Sequence, residues 1–257
     1  MGARYLALWL GLFNGSCVGT TGGDSFEFEA FASGPPSAEG QSYTFTNALG
    51  HDVRLTRARL HVAGVYLNQA VPTQVSANPS CMLAGIYVAE VNAPLVVDLL
   101  SAQPQPFGQL GTALTERAVT GEVWLNGGDV NELHDPTVVL EVAGVAAKSG
   151  TLRVFRGSLS IAANRAGMPR PSAPGAAPIC KQRIVSPIPV DLRLSRGGRL
   201  LLEIDPAKMF AGVDFALLPE GPDGVFTFED ANTPGPSLSL YNGLHRSAGV
   251  YALRWEP

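Results

Sequence analysis

The sequence predicts an all-β protein, an antiparallel β-sandwich of about a dozen strands. Three observations predict this class. Short segments in which apolar and polar residues alternate recur along almost the whole chain. Turn-forming residues are abundant, with 29 glycines and 20 prolines, and they separate these segments at short intervals. Only 16% of the residues are charged, and the sequence has no window of ordinary helix length with a 3.6-residue apolar pattern.

Each predicted strand is a run with a period of two residues. In order, they are FEFEAF (26–31), YTFTN (43–47), RLTRARLHVAGVYL (54–67), GIYVAEV (85–91), PLVVDLL (94–100), RAVTGEVWL (117–125), TVVLEVAGVAA (137–147), TLRVFRGSLSIAA (151–163), IPVDLRL (188–194), RLLLEID (199–205), GVDFALL (212–218), VFTFED (225–230) and GVYALRW (249–255). In the third run, unbroken alternation places Leu60, Val62, Gly64 and Tyr66 on one face. Short helical turns are expected only near 97–103 and 206–211.

Turns are predicted between these runs at NGGD (126–129), KSG (148–150) and SRGGR (195–199). The Gly-Gly pair in the last of them predicts a tight hairpin between its two flanking strands. The stretch 164–180 is rich in Pro, Gly and Ala, so it is expected to be either a long surface loop or a linker between two β units. We expect one β-sandwich domain over 25–257, with a subdivision at this stretch as the alternative to a single unit.

The first 24 residues indicate export. Arg4 precedes a nine-residue apolar run, Tyr5 to Phe13, which is too short to span a membrane and is typical of a secretory signal segment. Gly15 and Ser16 then precede Cys17, an arrangement that resembles the lipobox of bacterial lipoproteins, although Asn14 stands where an aliphatic residue is usual. We therefore expect a signal peptide over 1–16 and lipid attachment at Cys17. Ordinary signal-peptidase cleavage near Ser16 is the alternative.

Residues 17–24 have the composition of a flexible tether behind that lipid. Val18 stands where many lipoproteins retained at the inner membrane have Asp, so the resemblance implies the outer membrane, with the domain on its periplasmic or cell-surface face. The chain has three cysteines, and lipid on Cys17 would leave Cys81 and Cys180, for which we expect a disulfide in an oxidising compartment. Two independent thiols are the alternative.

A formal net charge of −4 offers no positive field for nucleic acid, and nucleic acid is not expected as a partner. The expected partners are the membrane, through the lipid, and an envelope protein or ligand that the sequence does not identify. Several side chains are expected to have structural roles. Trp124, Trp255, Phe210, Phe215 and Phe226 are expected in the core, and Arg183, Asp191, Glu203 and Asp205 in ion pairs between strands.

The most polar loop, NGGDVNELHD (126–135), carries oxygen ligands of the kind that Ca²⁺ takes. Asp129, Asn131, Glu132 and Asp135 are therefore weak candidates for a metal site, although the need for a polar turn between two strands is the favoured explanation. His51, His61, His134 and His245 are scattered, and His61 is expected in solvent on the polar face of its strand. No cofactor is expected, with calcium or copper as the open alternatives.

No catalytic residues are assigned. GGDSF (22–26) superficially resembles the nucleophile block of GDS(L) esterases, but those enzymes are α/β proteins, so Asp24 and Ser25 are expected only to end the tether and begin the first strand. The sequence contains no G-x-S-x-G, H-E-x-x-H, C-x-x-C, P-loop or dinucleotide fingerprint.

The blocks RLTRARLHVAGVYL, GIYVAEV, VVDLL, GEVWLNGGDVN, ICKQRIVSPI and LLLEIDPAKMFAGVDF resemble a group of β-rich lipoproteins of myxobacteria and their relatives, a group without an assigned activity. The first block is also weakly similar to periplasmic proteins of the MbnP type, which are associated with copper-peptide handling. No copper-ligand set can be matched onto these residues.

The sequence therefore predicts a non-enzymatic lipoprotein with a binding or structural role in the cell envelope. A periplasmic protein that binds copper or calcium is the first alternative, and a secreted hydrolase with an unrecognised site is the second.

Overall fold

The computed structural model describes residues 24–71, 86–128, 135–161, 183–230 and 234–257. These ranges form fifteen strands, two short α-helices and one 3-10 helix. The strands are β1 (Ser25–Ser33), β2 (Tyr43–Thr46), β3 (Asp52–Val62), β4 (Gly64–Asn68), β5 (Tyr87–Val91), β6 (Leu95–Asp98), β7 (Gln105–Pro106), β8 (Gly111–Leu114), β9 (Arg117–Trp124), β10 (Val138–Lys148), β11 (Thr151–Ser160), β12 (Ile184–Arg193), β13 (Arg199–Ile204), β14 (Phe226–Phe228) and β15 (Tyr251–Glu256). The helices are α1 (Pro206–Met209) and α2 (Pro236–Leu244), and the 3-10 helix is Phe215–Leu217.

The strands form two sheets, which confirms the predicted all-β sandwich. The larger sheet has the order β12-β9-β4-β5-β8-β1-β13-β15, with β7 also paired to β1, and its two end strands approach each other so that it is nearly closed. The smaller sheet has the order β14-β11-β10-β3-β2, with β6 also paired to β3. Most pairs are antiparallel, but β1 pairs with β13 and β11 with β14 in parallel, so both sheets are mixed.

The run 54–67 is not one strand, as the alternation predicts, but two strands in different sheets. Strand β3 lies in the smaller sheet and β4 in the larger, with Ala63 between them. The alternation changes phase there, because Val65 and Leu67 are buried in the core whereas Tyr66 lies on the outer face. The prediction that Tyr66 shares a face with Leu60 and Val62 was wrong.

The inward faces of both sheets enclose an apolar core. The core contains a cluster of four buried phenylalanines, Phe155, Phe210, Phe215 and Phe228, with ring centroids 4.9–6.2 Å apart. Two of them belong to strands, and the others to the segment that contains α1 and the 3-10 helix. This segment therefore adds aromatic side chains to the core.

Two other predictions about local structure were also wrong. The residues SRGGR do form a turn, with Gly197 at φ +83°, but the strands on either side do not pair with each other: β12 pairs with β9, and β13 with β1 and β15. The segment 212–218 contains the 3-10 helix instead of a strand, because the Asp214 carboxylate accepts a hydrogen bond from the Ala216 N–H and starts a helical turn.

The short turn predicted near 206–211 is confirmed as α1, which Asp205 caps by accepting a hydrogen bond from the Ala207 N–H, with Pro206 in the first turn. Helix α2 was not predicted. It packs against α1 so closely that a Cβ on Gly243 would lie 1.9 Å from the carbonyl oxygen of Met209. Only glycine allows this approach of the two backbones.

Candidate functional site

Most of the sites predicted from sequence lie outside the described residues. These are the lipid attachment at Cys17, the pair Cys81 and Cys180, and the candidate ligands Asp129, Asn131 and Glu132. The Pro-rich stretch 164–180 and His134 lie there too. At the start of the described residues, Ser25 begins β1 as expected.

Asp135 is the one candidate metal ligand that is described, and its oxygens close a loop. One oxygen accepts a hydrogen bond from the Gly127 N–H at 2.7 Å, and the other accepts one from the Thr137 N–H at 3.0 Å. Burial by itself raises the pKa of Asp135, but these bonds and the Arg183 guanidinium outweigh it and leave the pKa lowered. No group of three or more His, Cys, Asp or Glu that could hold a metal is found within the described ranges.

The three described histidines lie apart from one another. His51 is buried, and its Nε2 lies 2.9 Å from an Asp214 oxygen. His61 is half-buried, so the expectation of a solvent-exposed side chain was wrong, and burial lowers its pKa. The Nδ1 of His245 lies 2.8 Å from the carbonyl oxygen of Tyr241.

Two of the four side chains expected in ion pairs between strands form such pairs. Asp191 pairs with Arg117 from β12 to β9, and Glu203 pairs with Arg254 from β13 to β15. Asp205 instead caps α1, and Arg183 is fully buried near Asp135.

The most unusual described group is the carboxylate of Glu122 on β9. Although Glu122 lies on the outer face of the larger sheet, its side chain is 0% exposed. Four donors surround it. Its Oε2 accepts from the Tyr87 hydroxyl at 3.2 Å and the Trp124 Nε1 at 3.3 Å, and its Oε1 from the Asn68 Nδ2 at 3.1 Å and the Ser186 hydroxyl at 3.4 Å.

Burial makes the charged form of this carboxylate costly. Desolvation raises the pKa of Glu122, and the four hydrogen bonds oppose that rise without cancelling it. Burial and the neighbouring Glu122 carboxylate in turn raise the pKa of Tyr87. A raised carboxyl pKa within a polar surface cluster is a recurrent property of functional sites.

Three aromatic rings cover this carboxylate. Tyr66 and Trp124 lie with their ring centroids 4.4 Å apart, and Tyr66 meets Tyr87 edge to face at 5.5 Å. A Cβ on Gly64 would lie 2.9 Å from the Val91 carbonyl oxygen and 3.2 Å from the Tyr66 ring, so glycine at this position accommodates both. Trp124 therefore belongs to a surface cluster, and the expectation that it lies in the core was wrong. Phe210 and Phe215 are buried as expected, and Trp255 and Phe226 pack against the core.

Neighbouring strands place further carboxylates beside this cluster. The strand pairing sets Glu27, Thr112, Glu90, Tyr66 and Glu122 in one row across five strands, from β1 to β9. Glu27 and Glu90 are exposed, and Thr112 donates to Glu90 at 3.4 Å. Within the described residues, none of these three glutamates forms an ion pair.

A cleft of about 230 Å³ opens beside the row, where β5 and β8 pair over only two residues. Tyr87, Glu90 and Thr112 supply its polar lining, and Val88, Ala89, Ala113 and Leu114 supply apolar walls. Ser25 lines the far end, where its carbonyl oxygen accepts a hydrogen bond from Arg196. That guanidinium lies 3.7 Å from Asp24 and is therefore already partnered.

Sequence reasoning missed this site because two irregularities build it. The phase change at Ala63 turns Tyr66 and Asn68 outward, and a bulge at Val88 then places both Tyr87 and Glu90 on that same outer face. In the sequence, Tyr87 and Glu90 are three residues apart, a spacing that puts them on opposite faces of a regular strand. The signal available in the sequence was the concentration of Tyr, Trp and Glu residues in the segments that form β4, β5 and β9.

In the part of the chain that the structure describes, no helix has both the length and the apolarity needed to cross a membrane. The resemblance to β-rich lipoproteins stays a prediction. No family model, no curated protein and no solved structure matches this chain.

Proposed function

We propose that this protein is an exported, lipid-anchored β-sandwich that acts as a non-catalytic binding protein of the cell envelope, in the outer membrane. The address rests on the apolar run that ends at Cys17 and on the tether behind it. The binding role rests on one observation, the carboxylate of Glu122 beneath three aromatic rings on the outer face of the larger sheet.

That observation supports binding because the cluster is costly to the fold. A buried carboxylate with no ionic partner in the described residues loses hydration that its hydrogen bonds only partly replace. Apolar side chains at the same positions would cover the sheet without this cost. A few convergent polar groups beside an aromatic surface and a cleft are typical of ligand sites.

Lipid attachment is tested by metabolic labelling with an alkyne-bearing fatty acid. We expect the label on the wild-type protein and none on Cys17→Ala, because the thiol is the point of acylation. The matched control is Thr20→Ala, a change in the tether that keeps all three cysteines, which should be labelled like the wild type and appear in the same outer-membrane fraction. Equal labelling of Cys17→Ala and the wild type would contradict the proposal.

A disulfide between Cys81 and Cys180 is the second prediction for the exported protein. It would close a loop of about 100 residues and stabilise the fold by about 4–5 kcal/mol in the chain-entropy model. We expect alkylation under denaturing conditions to modify neither cysteine before reduction and both after it, as measured by intact mass. Two alkylated thiols in the unreduced periplasmic protein would show that the bridge is absent.

A further inference from the structure

We propose that one end of the larger sheet lies against a phospholipid bilayer, with the side chains of Val71 and Ile86 among the lipid head groups. This tether end is the end at which the chain enters the domain, and it consists of Asp24, Val71, Ile86, the connections 115–116 and 194–198, and Pro257. The inference rests on the lipid anchor proposed above and identifies the surface that the anchored domain turns toward the membrane.

The strand pairing brings these residues to one end of the sheet. Three strand pairs terminate there with residues directly opposite each other: Ser25 with Leu114, Asn68 with Tyr87, and Arg117 with Arg193. The pairing of β5 with β8 and of β4 with β9 joins these pairs into one rim. Asp24, Val71 and Ile86 lie just outside the paired residues, so they belong to that rim.

The start of the domain is fixed at this end. The Arg196 guanidinium donates to the Ser25 carbonyl oxygen at 3.3 Å, and it lies 3.7 Å from an Asp24 oxygen. Seven residues, 17–23, precede Asp24 if the chain begins at a lipidated Cys17. A chain of seven residues spans at most about 25 Å, whatever its conformation. Lipid on Cys17 would therefore hold the tether end close to the bilayer.

The apolar side chains at this end suit the head-group layer of a bilayer. Val71 is 60% exposed and Ile86 is 59% exposed. Trp255 lies near the same end, half-buried against the rings of Phe26 and Phe28. Tryptophan is enriched at membrane interfaces, and aliphatic side chains are stabilised when they leave water for this layer. Contact with lipid would thus remove exposed apolar surface from water.

The charges of this end nearly balance. Three ion pairs lie at or beside it: Arg117 with Asp191, Arg196 with Asp24, and Arg199 with Glu256. Arg193 is exposed there and forms no ion pair within the described residues, so its guanidinium can donate to a lipid phosphate. Glu116 and the C-terminal carboxylate of Pro257 add negative charge. This balance favours a zwitterionic phospholipid surface over an anionic one.

This orientation would place the candidate site beside the membrane. Glu27 begins the row that leads across the sheet to Glu122. It is two residues from Ser25, or about 7 Å along the strand. The row runs across the strands at this height, so a ligand bound along it would lie close to the lipid head groups.

The test is quenching of tryptophan fluorescence in the lipidated protein on phosphatidylcholine vesicles in which some head groups carry a nitroxide. Ile86→Trp places a probe at the tether end. The matched control is Leu110→Trp, because Leu110 is 53% exposed and precedes β8 at the opposite end of the same sheet. The register of β5 and β8 separates the two positions by about 20 Å along the strands.

We expect the nitroxide to remove at least about half of the fluorescence that Ile86→Trp adds, and less than about a tenth of that added by Leu110→Trp, because the quenching is short-ranged and the second probe is a strand length farther from the head groups. On vesicles without nitroxide, the emission of Ile86→Trp should shift to shorter wavelength relative to the same variant carrying Cys17→Ala in solution. Leu110→Trp should show no such shift. The shift reports contact with lipid, since the head-group layer is less polar than water.

Equal quenching of the two variants, or an unshifted emission of Ile86→Trp, would overturn this inference. Both results leave the anchor in place, because sedimentation of the protein with the vesicles measures the anchor separately. A protein that stays in the supernatant would contradict the anchor and, with it, the proposed orientation.

Discussion

Replacement of Phe155 by alanine is expected to lower the free energy of unfolding by about 4 kcal/mol. The Phe155 ring is buried and contacts three other phenylalanine rings, the nearest at 4.9 Å, which is that of Phe215. Its removal leaves a cavity where strand β11 meets the segment of α1 and the 3-10 helix. For a chain of this size, the loss corresponds to a fall in melting temperature of roughly 8–16 °C, measured by circular dichroism.

Val154→Ala is the matched control for this prediction. Val154 is the preceding residue of the same strand, but it faces solvent with 48% of its surface exposed. We expect its replacement to change stability by less than about 0.5 kcal/mol. A melting temperature equally lowered in both variants would mean that strand propensity dominates at these positions, and the aromatic cluster would then not be the source of the stability.

Replacement of Glu122 by alanine is expected to cost about 3 kcal/mol of stability near pH 4, because it leaves the buried Asn68 donor and the half-buried donors of Tyr87 and Trp124 without their acceptor. Glu122→Gln is the informative companion variant. Its amide keeps the size of the side chain, and the Asn68 amide can turn to present its oxygen to the new N–H groups. We therefore expect Glu122→Gln to fold with nearly wild-type stability at that pH.

The stabilities of the wild type and Glu122→Gln should then diverge as the pH rises. The folded pKa of Glu122 is raised above the unfolded value of about 4.3, so its contribution to stability is present below that value and is lost as the pH rises through the folded pKa. The Glu122→Gln side chain cannot ionise. Relative to the wild type, the free energy of unfolding of this variant should therefore rise by about 1.4 kcal/mol for each tenfold difference in the proton affinity of Glu122 between the folded and unfolded states. Urea unfolding of both proteins from pH 4 to 8 measures this difference.

The contributions of the other titrating groups to the pH dependence of stability cancel in this comparison, because the wild type and Glu122→Gln share these groups. Glu141→Gln, an exposed site, should follow the wild type at every pH. If the stability curves of Glu122→Gln and the wild type stay parallel, Glu122 has an ordinary pKa, and the carboxylate is not desolvated by the fold.

The strands were predictable because local chemistry determines them. Alternation of the kind seen in FEFEAF buries Phe26 and Phe28 and exposes Glu27, whichever strand it pairs with. The short helix at 206–211 was equally local, since Asp205 and Pro206 supply a cap and a first turn. Helix α2 was missed because its nine residues, PSLSLYNGL, carry little helical periodicity, and contacts with α1 and the core hold it in place.

The pairing of the strands was not predictable. The Gly-Gly turn at 195–199 fixes the path of five residues only, and which edge each flanking strand reaches depends on the rest of both sheets. The exchange of sheets at Ala63 likewise follows from how β3 and β4 bury their apolar sides in one core.

The sequence by itself determined the all-β class, most of the strands and the expectation of an exported, lipid-anchored chain, because each of these depends on neighbouring residues. Only the tertiary structure decided that Glu122, Tyr87, Trp124 and Asn68 share one surface. They come from three strands, and a change of phase and a bulge aim them at one another. Burial and strand register are properties of the assembled sheets, so no segment of the sequence contains them alone.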